Sequence, residues 1–195
     1  MSLYLNNSIK TLGVYMKKLA IIVALATVFG SVNFAQAAST GTINFSGELT
    51  ASTCDISVDG QGADATVILP TVSTSQLTAA NQVAGSTGFN MALSNCNGTL
   101  KTVSAFFEAG SSVDVVTGHL KNMSGTASGV SLELLDASNA MASIKAGNSS
   151  QATSTTYIDA SSGSATLPYA VQYYANSATT PGTVISNVVY SIQYK

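Results

Sequence analysis

The chain has 195 residues, 46% of them hydrophobic and only 8% charged, with a formal net charge of −2. That charge excludes a nucleic-acid or anionic-lipid binder, which needs a basic surface. The recurrent Val, Ile, Leu, Phe and Tyr exclude disorder, and a single histidine leaves little from which to build a metal site.

In chain order, the first feature is a targeting segment. Lys17 and Lys18 follow Met16, and Leu19 to Gly30 is then an uncharged, mostly apolar run. Ala35-Gln36-Ala37 fits a small-x-small cleavage site, so a secretory signal peptide starting at Met16 and cut after Ala37 is expected. The run is too short to span a bilayer. The residues before Met16 lack the pattern and read as the product of an upstream start codon. Beyond Ala37 the chain keeps four lysines and no arginine against nine acidic residues, a net charge of −5. Cys54 and Cys96 both lie in this exported part, and a secreted chain with two cysteines pairs them. On the chain-entropy view such a bridge stabilises the fold by about 4 kcal/mol.

Gly41 to Leu49 alternates, with Gly41, Ile43, Phe45, Gly47 and Leu49 on one parity. Cys54 to Val58 alternates again, Gly60 to Asp64 is a turn, and Thr66 to Leu69 reads as a short strand stopped by Pro70. Val72 to Ala84 is irregular, with room for a helical turn. Gly88 to Cys96 places Phe89, Met91 and Leu93 on one face, and Thr102 to Glu108 does so with Val103, Ala105 and Phe107. His119 to Asn122 is a short extended piece. Gly129 to Asp136 is a strand with Val130, Leu132 and Leu134 on one face, and Asp136 to Asn139 turns it onto Ala140 to Ile144. Gly147 to Thr156 is a polar loop. Ala165 to Ala175 is a long strand whose Pro168 places its beginning at an edge or bulge. Val184 to Lys195 closes the sequence. Val188, Tyr190, Ile192 and Tyr194 share its apolar parity, and Val189 is the one apolar residue on the other. No hairpin partner follows it, so its free edge expects a neighbour from earlier in the chain or from another molecule. Many short strands, frequent turns and one domain's length of chain predict an all-β sandwich.

The chemistry of catalysis is not visible. A Ser-His-Asp triad would have to use His119, and no GxSxG is present. Gly118 and Ala142 stand three residues before Lys121 and Lys145, so a Ser-x-x-Lys motif fails. Glu133 and Asp136 sit near a strand end beside a turn, where solvation accounts for them. Asn97, Asn122 and Asn148 begin glycosylation sequons, which arise by chance in so Ser/Thr-rich a chain. The chain is therefore expected not to be an enzyme and to need no metal or cofactor.

Taken together, these segments resemble the pilin subunits of bacterial chaperone–usher fimbriae, in particular the major, shaft-forming subunits of the type 1 and F17 groups. Gly-Thr-Ile-Asn-Phe-Ser-Gly-Glu-Leu (41 to 49) is similar to the donor segment before the first cysteine of that family, and Gly-Phe-Asn-Met-Ala-Leu-Ser-Asn-Cys (88 to 96) to the segment ending at the second. Ala-Val-Gln-Tyr-Tyr-Ala (170 to 175) resembles its penultimate strand, Tyr194 its penultimate tyrosine, and Gly182 its glycine fourteenth from the end.

The resemblance implies an incomplete immunoglobulin-like sandwich lacking its last strand, completed by donor-strand exchange. It implies residues 1-37 as upstream and signal sequence, 38-49 as an N-terminal donor extension with Gly41, Ile43, Phe45 and Gly47 facing a groove, and 50-195 as the pilin domain. It assigns the groove and its pairing strand to Gly182, Val188, Tyr190, Ile192, Tyr194 and Lys195. The implied partners are a periplasmic chaperone, an outer-membrane usher, identical subunits in a homopolymer, minor subunits and a tip adhesin, with no nucleic acid. The implied route runs through the periplasm to a fimbria on the cell surface. A minor or adaptor subunit shares this single-domain plan, whereas a tip adhesin would carry a lectin domain for which Ala38, Ser39 and Thr40 leave no room. Those three residues make the donor tip short and polar.

Overall fold

The computed structural model describes residues 41–47, 49, 51 and 53–195. The proposed signal peptide, its cleavage site and the tip of the donor extension lie outside the described residues. The described chain belongs to two units, Met1–Gly47 and Glu48–Lys195. Of the first, residues 41–47 are exposed throughout and form no strand.

The second unit is a β-sandwich. Its strands are β1 (Thr53–Val58), β2 (Val83–Asn97), β3 (Thr102–Phe107), β4 (Leu120–Lys121), β5 (Val130–Asp136), β6 (Ala142–Ile144), β7 (Ile158–Asp159), β8 (Ala165–Ala175) and β9 (Tyr190–Tyr194). One sheet runs β1-β2-β8-β5-β4, with β6 also on β5, and the other runs β7-β3-β9. Every pairing is antiparallel, for example Met91↔Leu167, Leu134↔Val171 and Ala105↔Ile192. Phe89, Met91 and Leu93 of β2, Val103, Ala105 and Phe107 of β3, and Leu132 and Leu134 of β5 are buried in one core between the sheets. Their period of two puts them on one face of each strand, which is why the sequence alternation reports them.

Three devices fasten the fold. The Cys54–Cys96 disulfide joins β1 to β2 across a Cα separation of 4.1 Å. Tyr169 of β8 crosses the core, packs edge-on to Phe107 with ring centroids 5.2 Å apart, and accepts the Ala105 N–H at 2.9 Å. Gln151, fully buried, accepts the Phe107 N–H at 2.9 Å and donates to the Phe107 carbonyl at 3.0 Å. The edge of β3 that the two-residue β7 does not reach is thus closed by side chains that imitate a ladder partner.

Several expectations need correction. Thr66 to Leu69 is not a strand, because it has no ladder partner among the described residues. Only Tyr190 to Tyr194 of the final stretch is a strand, since β3, its ladder partner, ends at Phe107. The stretch before it is tied instead by the Met123 N–H to the Ile185 carbonyl and the Ala127 N–H to the Thr183 carbonyl. The loop 147–156 contains a helical turn, Gln151–Ser154. Glu133 and Asp136 are buried, not solvated. Asp136 accepts the N–H groups of Ser138 and Thr156 at 2.9 and 2.8 Å, and Glu133 accepts from Gln172 at 2.8 Å. Buried carboxylates persist where such donors satisfy them. Pro168 conforms to its expected place: β5 stops at the Asp136↔Tyr169 pair, so residues 165–168 of β8 have a ladder partner only in β2.

Candidate functional site: a groove beside the last strand

The open edge of β9 defines the site. In an antiparallel pair, alternate residues exchange hydrogen bonds with the partner strand, and those between point theirs to the opposite edge. Lys195 and Thr102 exchange both of theirs, and the Glu108 N–H donates to the Val189 carbonyl. Val189, Ser191, Gln193 and Lys195 therefore spend their backbone groups on the β3 side. Val188, Tyr190, Ile192 and Tyr194 direct theirs to the other edge, where no strand among the described residues pairs with them.

Across from that edge runs the segment 63–69, and a groove of about 450 Å³ separates the two. Phe89, Met91, Phe107, Leu132 and Leu134 form its floor, and Val67 and Leu69 line one wall as Val188 and Tyr190 line the other. A cavity of about 630 Å³ continues along the chain from Gly182 to Ile185, with Val72, Leu77, Val130 and Tyr173 opposite. The floor residues are almost fully covered. Val67, Leu69, Val184, Val188, Tyr190, Ile192 and Tyr194 pack on the core yet remain only half-buried. Apolar walls without a strand between them are what a sandwich shows when one strand's place is vacant among the described residues.

Polar groups mark the walls. The Tyr190 hydroxyl donates to the Ala63 carbonyl at 2.7 Å and so joins them. Burial, helped by the nearby charge of Asp64, raises the Tyr190 pKa above its ordinary value, so the hydroxyl keeps this proton. The Ser186 Oγ is buried with no hydrogen-bond partner among the described residues. At the far end a Cβ on Gly182 would collide with the backbone of Thr126 and Ala127, so only glycine lets the chain lie that close.

The residues expected from the sequence separate into three groups. Val188 and Tyr190 line the groove and Gly182 the cavity that continues it, while Ile192 and Tyr194 follow on the same parity of β9 and pack on the core. Lys195 is turned from it: its Nζ donates to the Ala152 carbonyl at 2.7 Å and lies 3.7 Å from the centre of the Tyr157 ring. Gly41, Ile43, Phe45 and Gly47 belong to the other unit, with Ile43 77% and Phe45 91% exposed. Sequence reading missed the opposite wall. The alternation of Val67 and Leu69 was visible there, but it read as a strand of the sheet, not as the rim of a gap.

Comparison with known proteins identifies this architecture. Residues 69–195 match the family model described as FimA, type-1 fimbrial protein, A. The chain is 43% identical over 161 residues to the major fimbrial subunit SMF-1 of Stenotrophomonas maltophilia strain K279a, covering 80% of this chain and 94% of that one. It is 35% identical over 185 residues to the F17 fimbrial protein of Escherichia coli, covering 92% and 100% respectively. The fold also resembles the crystal structure of the P pilus rod subunit PapA, with a TM-score of 0.52 at 19% identity over 73% of this chain and 99% of that one. The half-closed sandwich is an immunoglobulin-like pilin domain, and the chain belongs to the type-1 fimbrial protein family as a structural subunit of a fimbria.

Proposed function

We propose that this subunit polymerises into the fimbrial shaft by lending residues 38-49 to the groove of the next copy. The observation that carries the proposal is the open edge of β9 facing an unpaired, apolar wall. A strand entering there would gain main-chain hydrogen bonds from β9 and would press alternate side chains into the groove, which is β-augmentation. The exposed segment of the same chain offers that pattern, with Ile43 and Phe45 as apolar knobs between Gly41 and Gly47. A chain with an open edge needs cover before assembly. The same groove would receive a periplasmic chaperone's strand first and the neighbour's segment afterwards, at an outer-membrane usher. Cleavage after Ala37 would free the donor segment, and minor subunits and a tip adhesin would complete the fibre. In this reading the chain is a building block and not an enzyme.

Phe45→Asp tests the assignment. Because Phe45 acts in a neighbour's groove, the variant should be exported, form its Cys54–Cys96 disulfide and bind a chaperone, yet be missing from fibres. The measurements are non-reducing gels, pull-down on tagged chaperone, and the subunit content of sheared fimbriae. A Phe45→Asp subunit that fails to fold would place Phe45 in its own core and end the donor reading.

A further inference from the structure

The geometry points to Tyr190 as a strut that holds the two walls of the groove one strand apart before the donor strand arrives. This inference rests on the donor-strand reading and adds a positioning residue to it. A strand inserted between β9 and the 63–69 segment needs two ladder spacings, each about 4.8 Å. A tyrosine side chain plus one hydrogen bond spans about that width, and Tyr190 reaches from β9 to the Ala63 carbonyl at 2.7 Å. Little else fixes the opposite wall. Among the described residues, segment 63–69 has no ladder of its own and Thr66 is held only by Gln61 at 3.2 Å, and Val67 and Leu69 are only half-buried. Left to hydrophobic attraction, an unpaired apolar wall would close over the floor of Met91, Phe107 and Leu134. The hydrogen bond opposes that closure at fixed spacing. Its acceptor is a backbone carbonyl, so it positions the wall's main chain, the part a donor strand must face. The raised pKa keeps the hydroxyl a donor over the ordinary pH range. Pre-set spacing lowers the ordering cost that strand entry would otherwise carry.

The test is a rate measurement on the full-length exported subunit, refolded with its disulfide and mixed with a dye-labelled peptide of residues 38–49. Tyr190→Phe keeps the ring in the wall and removes only the bond. A strut required before entry predicts peptide association about fivefold slower, the factor that one lost neutral hydrogen bond implies. The dissociation rate should stay as in the unaltered subunit, because the inserted strand then holds the walls apart itself. Equal loss in both rates would mean a general packing role, and an unchanged association rate would mean the bond is incidental. Faster association would mean that the bond latches the groove shut, the opposite device. Failure of the unaltered subunit to bind the peptide at all would overturn the donor-strand reading itself, together with this inference.

Discussion

β5 and β9 carry nearly the same pattern. One begins Val130-Ser131-Leu132-Glu133-Leu134, and the other is Tyr190-Ser191-Ile192-Gln193-Tyr194. Every residue of β5 is buried, and none of β9 is. The difference lies in their neighbours. β5 has β8 along one edge and β4 and β6 along the other, while its outward Ser131 and Glu133 are roofed by His119, with Gln172 and Asn176 completing their hydrogen bonds. β9 has only β3. Even β3 has its spare edge closed, by Tyr169 and Gln151. The edges of β5 and β3 are covered, and that of β9 is bare among the described residues.

Two substitutions sharpen that contrast. The largest effect is expected from Leu134→Asp, which places an unpaired carboxylate at a side chain only 3% exposed. Burying such a charge costs several kcal/mol, enough to leave no folded domain. Ile192→Asp should cost less in the free subunit, because its position is half-buried beside the open edge, but should still abolish any strand-bound complex. Chemical denaturation of each variant, with and without the 38–49 peptide, measures both. Equal destabilisation of the two free subunits would mean that β9 is as fully packed as β5.

The alanine pair gives a finer measure. Leu134→Ala should cost about 2–5 kcal/mol with or without peptide, as buried leucines do. Val188→Ala should cost about 1 kcal/mol in the free subunit, half of a fully buried valine. Adding the peptide should roughly double the Val188 cost, since the inserted strand would cover it, and leave the Leu134 cost unchanged. A Val188 cost indifferent to the peptide would put the donor strand somewhere else.

What the sequence disclosed follows from what a period of two can report. Phe89, Met91 and Leu93, or Val103, Ala105 and Phe107, face one core, and alternation names them directly. The acidic residues of β5 broke the rule: Glu133 and Asp136 read as solvated, yet Glu133 lies beneath His119 and Gln172 and Asp136 accepts backbone N–H groups from Ser138 and Thr156. Periodicity has no information about such a roof. The same limit hid the second wall of the groove. Val67 and Leu69 alternate like strand residues, and only the fold reveals that their partner is missing among the described residues. Tyr190 was placed on the apolar parity, but nothing local could indicate that its hydroxyl reaches Ala63.

The smallest effect concerns the roof over β5. The His119 ring lies against Tyr174, with centroids 4.3 Å apart, and its Nε2 is 3.8 Å from Glu133 Oε1. Asp114 from the same loop also faces it, and Lys121 on β4 lines the adjoining cavity. Two influences compete. Burial disfavours the imidazolium and lowers the His119 pKa, while the charges of Glu133 and Asp114 raise it; burial is the larger, so the net direction is down from 6.5. A folded pKa below the unfolded one means that the unfolded chain binds the proton more readily between the two values. The stabilising contribution is therefore complete above pH 6.5 and is lost as pH falls from there through the folded pKa. Thermal melts between pH 7.5 and 5 should show a modest decline in the midpoint that His119→Gln removes. The window stays above the titration of Asp114 and Asp159, both of which backbone hydrogen bonds hold below the ordinary aspartate range. A midpoint that rises on acidification, and stops doing so in His119→Gln, would reverse the ranking: attraction to Glu133 would then outweigh burial, and the roof would be an ion pair instead of a neutral cap.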